Sequence, residues 1–312
     1  MGSEFRFSGV IPANLLPFND DFSIDETNYR RHLSWLADVK GVNAIVCNGH
    51  AAEVSSLTGQ ERRRALSIAL DEVGDRVELI NGIYTDSSLE AATMAAEAQA
   101  DGAAGILIFP PTLFMWGAQL RPEMVLDHYR RIADATDIPI VVFEYPPENG
   151  IGYSPETLAR LAEIPSVAAV KDWSNNMVST EHNLRALRAS GRPVAHLSSF
   201  TTSLMGSYML GADGSISGMG SVTADLQVDL FQAVQEGNLD KARGLNDRLH
   251  PLVRVFYAPP FVDMHNRMKE ALVLLGRIER AVVRPPLQPI SEEERGQIRQ
   301  ALIQTGLIAA GG

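Results

Sequence analysis

Short apolar runs recur eight times along most of this chain, each followed by a longer stretch with helical periodicity. The runs are Gly9–Leu15, Ala44–Asn48, Val77–Gly82, Gly105–Phe109, Ile140–Tyr145, Val167–Asp172, Val194–Ser198 and Gly214–Ser217. They are too short for helices and rich in Val and Ile. Near-continuous apolarity is what strands covered on both faces require. The segments between them carry helix-start signals. Ser23 with Glu26, Thr58 with Glu61, and Ser87 with Glu90 read as capping boxes. Ser154-Pro155 ahead of Glu156 puts proline at a first helical position. Strands alternating with helices in this way predict an α/β fold, a closed parallel (β/α)8 TIM barrel. An open doubly wound sheet is the alternative, but no glycine-rich dinucleotide fingerprint follows the first run.

The barrel is expected over residues 6–238 and a C-terminal helical extension over 239–312, with helices at Leu239–Phe256, Pro259–Leu275 and Ser291–Ile308. Pro285-Pro286-Leu287-Gln288-Pro289 reads as an extended connection. Residues Met1–Phe5 read as an expression-vector scar. The net charge of −11, with no long basic run, argues against nucleic acid and anionic membrane as partners. No apolar stretch approaches the ~18 residues of a membrane-spanning helix, and no signal peptide is visible. The single cysteine, Cys47, cannot form an internal disulfide and reads as a buried apolar residue. A cytoplasmic location is expected.

In a parallel barrel, chemistry gathers where the strands end. The chain has four lysines, Lys40, Lys171, Lys241 and Lys269. Lys40 precedes the second strand, at the opposite end, and Lys241 and Lys269 lie on the C-terminal helices. Lys171 ends the run Val167-Ala168-Ala169-Val170. Loss of solvation there favours a neutral amine, and a neutral amine can attack a carbonyl carbon. The plainer reading is a lysine emerging at a strand end to pair with Asp172. The loops after the strands contain almost no arginine, so a substrate carboxylate would be held mainly by backbone N–H groups. The turn Asn48-Gly49-His50-Ala51-Ala52 suits that task, since glycine allows close backbone approach. His50 could act as acid or base near neutral pH. Glu53 could tie that loop down. Tyr84, Glu144, Tyr145 and Glu148 also fall in these loops, and Ser217 ends the eighth run. The histidines show no metal-ligand spacing, and no Gly-x-Ser-x-Gly elbow or P-loop is present.

Three segments together carry a family resemblance. Gly49-His50-Ala51-Ala52-Glu53 with Leu57-Thr58 resembles the Gly-x-x-Gly-Glu…Leu-Thr loop of the dihydrodipicolinate synthase / N-acetylneuraminate lyase superfamily. Ser154-Pro155-Glu156-Thr157, then Leu161-Ala162 and Ile164-Pro165, resembles its fifth helix. Val170-Lys171-Asp172 with Ser174 resembles its lysine motif. The similarity runs from about Gly9 to about Gly276. It implies a barrel with C-terminal helices, a Schiff base between Lys171 and pyruvate or another 2-oxo acid, and commonly a homotetramer or homodimer. The departures bear on function. His50 and Ala51 stand where the family has two threonines, and Ala52 replaces the second glycine. Phe143 occupies the position of the catalytic tyrosine. Glu148 matches an aldehyde-binding arginine, and Pro111-Thr112-Leu113 lacks the tyrosine that reaches a neighbouring subunit.

The resulting expectation is a class I lyase, an aldolase or a dehydratase acting on a 2-keto-3-deoxy sugar acid type of substrate. Lys171 is the nucleophile. His50, Tyr145 and Glu144 are the candidates for proton transfer. Gly49, His50, Ala51, Tyr84, Phe143 and Ser217 are the candidates for substrate binding. No metal or organic cofactor is expected, because an iminium is itself an electron sink. The other readings are a non-catalytic 2-oxo-acid binder or sensor, a metal-dependent barrel aldolase, and a true dihydrodipicolinate synthase, which the lost hydroxyl disfavours.

Overall fold

The computed structural model describes residues 6–310, so the Met1–Phe5 segment read as a vector scar lies outside the described residues. The eight apolar runs form β1 (Gly9–Pro12), β2 (Ala44–Cys47), β3 (Glu78–Ile83), β4 (Gly105–Ile108), β5 (Ile140–Glu144), β6 (Val167–Asp172), β7 (Ala195–Ser198) and β8 (Gly214–Ser217). All pair in parallel, each with its sequence neighbour from β2 to β8, and β8 pairs with β1. Bridges from Val10 to Val42 and from Ala13 to Val46 close the remaining seam. That closure removes the open-sheet alternative.

Alternation along each strand sorts the side chains. Ile11, Val46, Ile80, Leu107, Val141, Ala169, Leu197 and Ile216 fill the barrel interior. Val10, Ile45, Leu79, Ile106, Val142 and Val170 face outward, beneath the helices. The strands read as continuously apolar because both sides are covered.

The helices of the barrel are α1 (Glu26–Asp38), α2 (Gly59–Val73), α3 (Ser88–Asp101), α4 (Pro122–Ala133), α5 (Pro155–Ala162), α6 (Met177–Ala189), α7 (Leu204–Leu210) and α8 (Gly220–Gln235). Thr58 and Glu61 form the expected reciprocal box at the start of α2. Ser154 caps α5 with Pro155 at its first position. Ser87 caps α3 by accepting from the Glu90 N–H, but the Glu90 carboxylate turns instead to the Thr85 hydroxyl. Ser23 is a correction. The cap of α1 is Asp25, which accepts from the Asn28 N–H. Ser23 is drawn into a local turn in which its N–H and hydroxyl both donate to Asp21, and that competing bond is characteristic of Asp and Ser in turns.

The extension adds α9 (Leu239–Phe256), α10 (Met264–Leu274) and α11 (Glu292–Gln304). The second begins later than expected, because a 3-10 turn, Phe261–Asp263, precedes it. Leu249, Leu252, Phe256, Met268, Leu272, Ile298 and Leu302 belong to the same apolar cluster as the barrel interior. The extension therefore shares the core rather than packing as a separate body. Among the described residues no helix is long and apolar enough to cross a membrane.

Candidate active site

Alternation on β6 decides what Lys171 can do. Ala169 and Lys171 face the interior, and Val170 and Asp172 face outward. The Asp172 carboxylate is engaged there by His196 Nε2 at 2.8 Å, Asn183 Nδ2 at 3.1 Å and the Ser174 N–H at 2.7 Å. Pairing of Lys171 with Asp172 is thus absent. Lys171 is only 4% exposed. Its Nζ lies 3.9 Å from the centre of the Phe143 ring, and among the described residues no hydrogen bond or ion pair engages it. Burial lowers its pKa to about 7, so the neutral amine is abundant near neutral pH.

Aromatic rings form the wall beside the amine. Phe143 is inward-facing on β5, in register with Lys171. It packs against Phe109 at 5.2 Å and Tyr145 at 4.5 Å between ring centres. Although β5 ends at Glu144, Tyr145 keeps the same inward direction, and its hydroxyl is hydrogen-bonded to His50 Nε2. Tyr84 stands 6.4 Å from the His50 ring. Burial lowers the His50 pKa to about 3, and the Lys171 and His265 charges push the same way. The imidazole is therefore neutral at physiological pH, which leaves it the role of base and removes that of acid. It can accept a proton, while the Tyr145 phenol, its pKa raised by burial, stays protonated.

The turn after β2 places His50 and Ala51 at the start of a 3-10 turn, His50–Ala52, with extended Gly49 before it. The first N–H groups of such a turn have no acceptor within it, which suits them to an anion. At Gly49 a Cβ would meet Val46 Cγ1 at 3.6 Å and Ala13 Cβ at 3.8 Å, ordinary contacts, so glycine is not sterically required there. Glu53 follows with φ +55°. It is buried, and it is clasped by Lys269 Nζ at 2.5 Å and the Arg284 N–H at 2.9 Å. Its tethering of the loop thus reaches into the C-terminal extension.

Of the expected site residues, Gly49, Tyr84 and Tyr145 adjoin His50 without lining the cavity over Lys171, and Glu144 and Ser217 lie elsewhere. The Glu144 carboxylate is fully buried on the outward side of β5, where both oxygens accept from the Tyr153 N–H. The pleat that brings Phe143 inward sends Glu144 away from Lys171. Ser217 accepts from the Gly220 N–H and donates to Gln227, so it shapes the turn from β8 to α8 and does not line the cavity.

The cavity over Lys171 holds about 330 Å³, and much of its lining comes from residues beyond the barrel. Tyr257, Phe261, Val262, Met264, His265 and Leu287 all contribute. The His265 imidazole, its pKa lowered to about 3 by burial with the Lys171 and Lys269 charges adding, faces Gly218. A Cβ at Gly218 would sit 3.0 Å from His265 Nε2, so this glycine makes room for the ring. Trp173 and Ser199 complete the barrel side. Sequence reading missed His265, although one signal pointed to it. Lys269 sits among apolar helix positions, and His265 precedes it by one helical turn on the same face. Arg284 also lines the cavity, but its five donors are spent on Phe22 O, Ser56 O and the Glu61 carboxylate. Among the described residues, no group of three or more His, Cys, Asp or Glu side chains is placed to hold a metal ion.

Comparison with known proteins matches residues 6–305 to the Dihydrodipicolinate synthetase family. The chain is 30% identical over 302 residues to a 4-hydroxy-tetrahydrodipicolinate synthase of Gluconacetobacter diazotrophicus, covering 97% of this chain and 98% of the relative. It is 31% identical over 310 residues to one of Methanopyrus kandleri, covering 99% of both. Among solved structures, a monomeric dihydrodipicolinate synthase variant superposes with a TM-score of 0.89 at 27% identity, covering 97% of this chain and 98% of that one. YagE, an E. coli prophage protein of the dihydrodipicolinic acid synthase family solved in complex with pyruvate, gives 0.88 at 26% identity, covering 97% and 99%.

Proposed function

Because the chain belongs to the dihydrodipicolinate synthetase family, we propose that it is a lyase that captures a 2-oxo acid as a Schiff base on Lys171, as an aldolase or a hydro-lyase. The observation that carries this reading is the Lys171 amine itself, buried, without a charge partner, and lowered to a pKa of about 7. A structural lysine gains nothing from such a place, whereas a nucleophilic one must be deprotonated. This disfavours a passive binder or sensor.

In the proposed cycle, Nζ attacks C2 of the substrate and the carbonyl oxygen leaves as water. The iminium that results acidifies the C3 protons. Neutral His50, bonded to Tyr145, accepts one of them, which yields an enamine. Loss of a C4 hydroxide from the enamine gives dehydration, with the Tyr145 phenol as the proton donor. Cleavage or formation of the C3–C4 bond gives aldol chemistry. Throughout, the His50 and Ala51 N–H groups hold the carboxylate. The synthase activity of the named relatives is not carried over. Phe143 has no hydroxyl to join a relay, and Glu148, which matches the family's aldehyde-binding arginine, offers no guanidinium to the carboxylate of aspartate semialdehyde.

Assembly into a homodimer or homotetramer is part of the same reading. Leu113, Met115, Trp116 and Leu120, in the loop after β4, are half or more exposed, Trp116 at 81% and Leu120 at 86%. Apolar side chains grouped in this way mark a contact surface. Light scattering coupled to gel filtration tests it, and a monomer at micromolar concentration would sink it. For the chemistry, turnover across a panel of 2-oxo acids, with pyruvate release and water loss both followed, separates aldolase from hydro-lyase. No turnover and no borohydride-trapped adduct on Lys171 would overturn the proposal.

A further inference from the structure

We infer that the substrate carries an apolar group the size of a single aromatic ring beyond C4, in place of the hydroxylated chain of a sugar acid. The inference rests on the Schiff-base reading of Lys171. Its basis is the chemistry of the cavity wall beyond the amine. Trp173, Tyr257, Phe261, Val262, Met264 and Leu287 line that part of the cavity. Phe261 and Val262 stand at the lip, 44% and 62% exposed. Exposed apolar side chains converging on a concave site are unusual on a surface that water alone covers.

Several of the polar side chains nearby are already occupied. All five Arg284 donors are bonded, Glu53 holds Lys269 and the Arg284 N–H, and the Ser56 hydroxyl donates to the Glu53 carbonyl. His50 is engaged by Tyr145. Ser199 and His265, close to the lysine, remain for a C4 oxygen, and Ser55 lies at the rim. A sugar acid would set hydroxyls against the carbon of Trp173, Phe261, Val262, Met264 and Leu287 and strip their water there, which is costly. A ring gains by burial and finds edges and faces of Trp173, Tyr257 and Phe261 to pack on. A volume of about 330 Å³ falls at the small end of ligand pockets. It suits a keto-acid head with one ring.

The test is borohydride trapping with the intact protein. The lysine amine displaces water from the C2 carbonyl, and hydride from borohydride reduces the C=N bond to a secondary amine that mass spectrometry locates. The probes are pyruvate, 2-oxo-4-phenylbutanoate and 2-keto-3-deoxygluconate, the last counted as its open-chain form. The phenyl compound should half-saturate Lys171 at a concentration at least about tenfold below the sugar acid. Equal or tighter capture of the sugar acid, with pyruvate still captured, would overturn this inference alone. Failure of every probe, pyruvate included, would overturn the Schiff-base reading and this inference together. The double variant Phe261→Asn, Val262→Asn changes only exposed lip positions and should bring the preference close to unity. A preference unchanged in that variant would remove the ring from this wall and overturn the assignment.

Discussion

Adjacent positions on β5 and β6 are treated in opposite ways. Phe143 and Lys171 are paired in register and face inward, and Glu144 and Asp172, one residue on, are paired in register and face outward. The outward carboxylates are satisfied: Glu144 by the Tyr153 N–H, and Asp172 by His196, Asn183 and Ser174. The inward amine has only an aromatic face beside it. Lys171, Glu144 and Asp172 are all buried and ionisable, so burial alone does not mark a functional group. What separates them is whether the protein supplies the partners. A group with its partners supplied holds the fold together, and one left without them is available to a substrate.

Breaking the inward member should have the largest effect. Lys171→Ala should abolish trapping by borohydride and lower turnover by about 10³-fold or more. In the wild type, capture should accelerate as pH rises through the lowered lysine pKa of about 7 and then level off, because only the deprotonated amine attacks. A capture rate that keeps rising about tenfold per pH unit through about pH 8 and beyond, with no levelling, would show that the amine is not shifted.

The next effect belongs to the neighbour of the amine. His50→Ala should lower kcat by about 10²-fold while imine formation on Lys171 persists. Tyr145→Phe, which keeps the ring and removes the hydroxyl bonded to His50, should cost less than the loss of the imidazole. If His50→Ala keeps nearly full kcat on its substrate, the C3 proton leaves by another route, with His265 the next group to test.

What the sequence made legible follows the same division. The barrel could be read because strand length, apolarity and caps are local properties. Lys171 could be read because a lysine ending an apolar run is itself the anomaly. Ser23 misled because a serine followed three residues later by glutamate fits both a capping box and an Asp-Ser turn, and only the chain path chooses. Glu144 misled because the direction of a side chain at a strand end depends on where the pleat stops. His265, Tyr257 and Phe261 could not be placed from a barrel argument, since residues of α10 and the segment before it reach the site only through tertiary packing. Lys269 reads as lying on a C-terminal helix, away from the strand ends, yet it is fully buried against Glu53.

Breaking the outward pair should affect stability ahead of chemistry. Asp172→Ala leaves His196 Nε2 and Asn183 Nδ2 without their acceptor in the core. The expected loss is about 3 kcal/mol of unfolding free energy, read by denaturant titration, with trapping on Lys171 retained in the folded fraction. If stability is unchanged while trapping is lost, Asp172 would belong with the chemistry, and the division drawn above would fail.

Glu144→Gln should have the smallest effect and gives the sharpest contrast, because it keeps the shape and an acceptor oxygen for the Tyr153 N–H. Turnover should fall by less than about threefold, against the loss of about 10²-fold expected at a catalytic acid or base. Its stability should still depend on pH in a distinctive way. Burial raises the Glu144 carboxyl well above its ordinary range, and the nearby Asp172 charge adds to the shift. The folded state then holds a proton that the unfolded state has released. Protons bound in excess by the native state make stability fall as pH rises, from the unfolded glutamate value upward toward the folded one. Glutamine carries no such proton, so the difference between variant and wild type should move in favour of glutamine from acid to neutral pH. Melting temperatures of both proteins at about pH 5 and pH 8 measure this directly, and a difference that stays constant would mean that Glu144 is ionised where it lies.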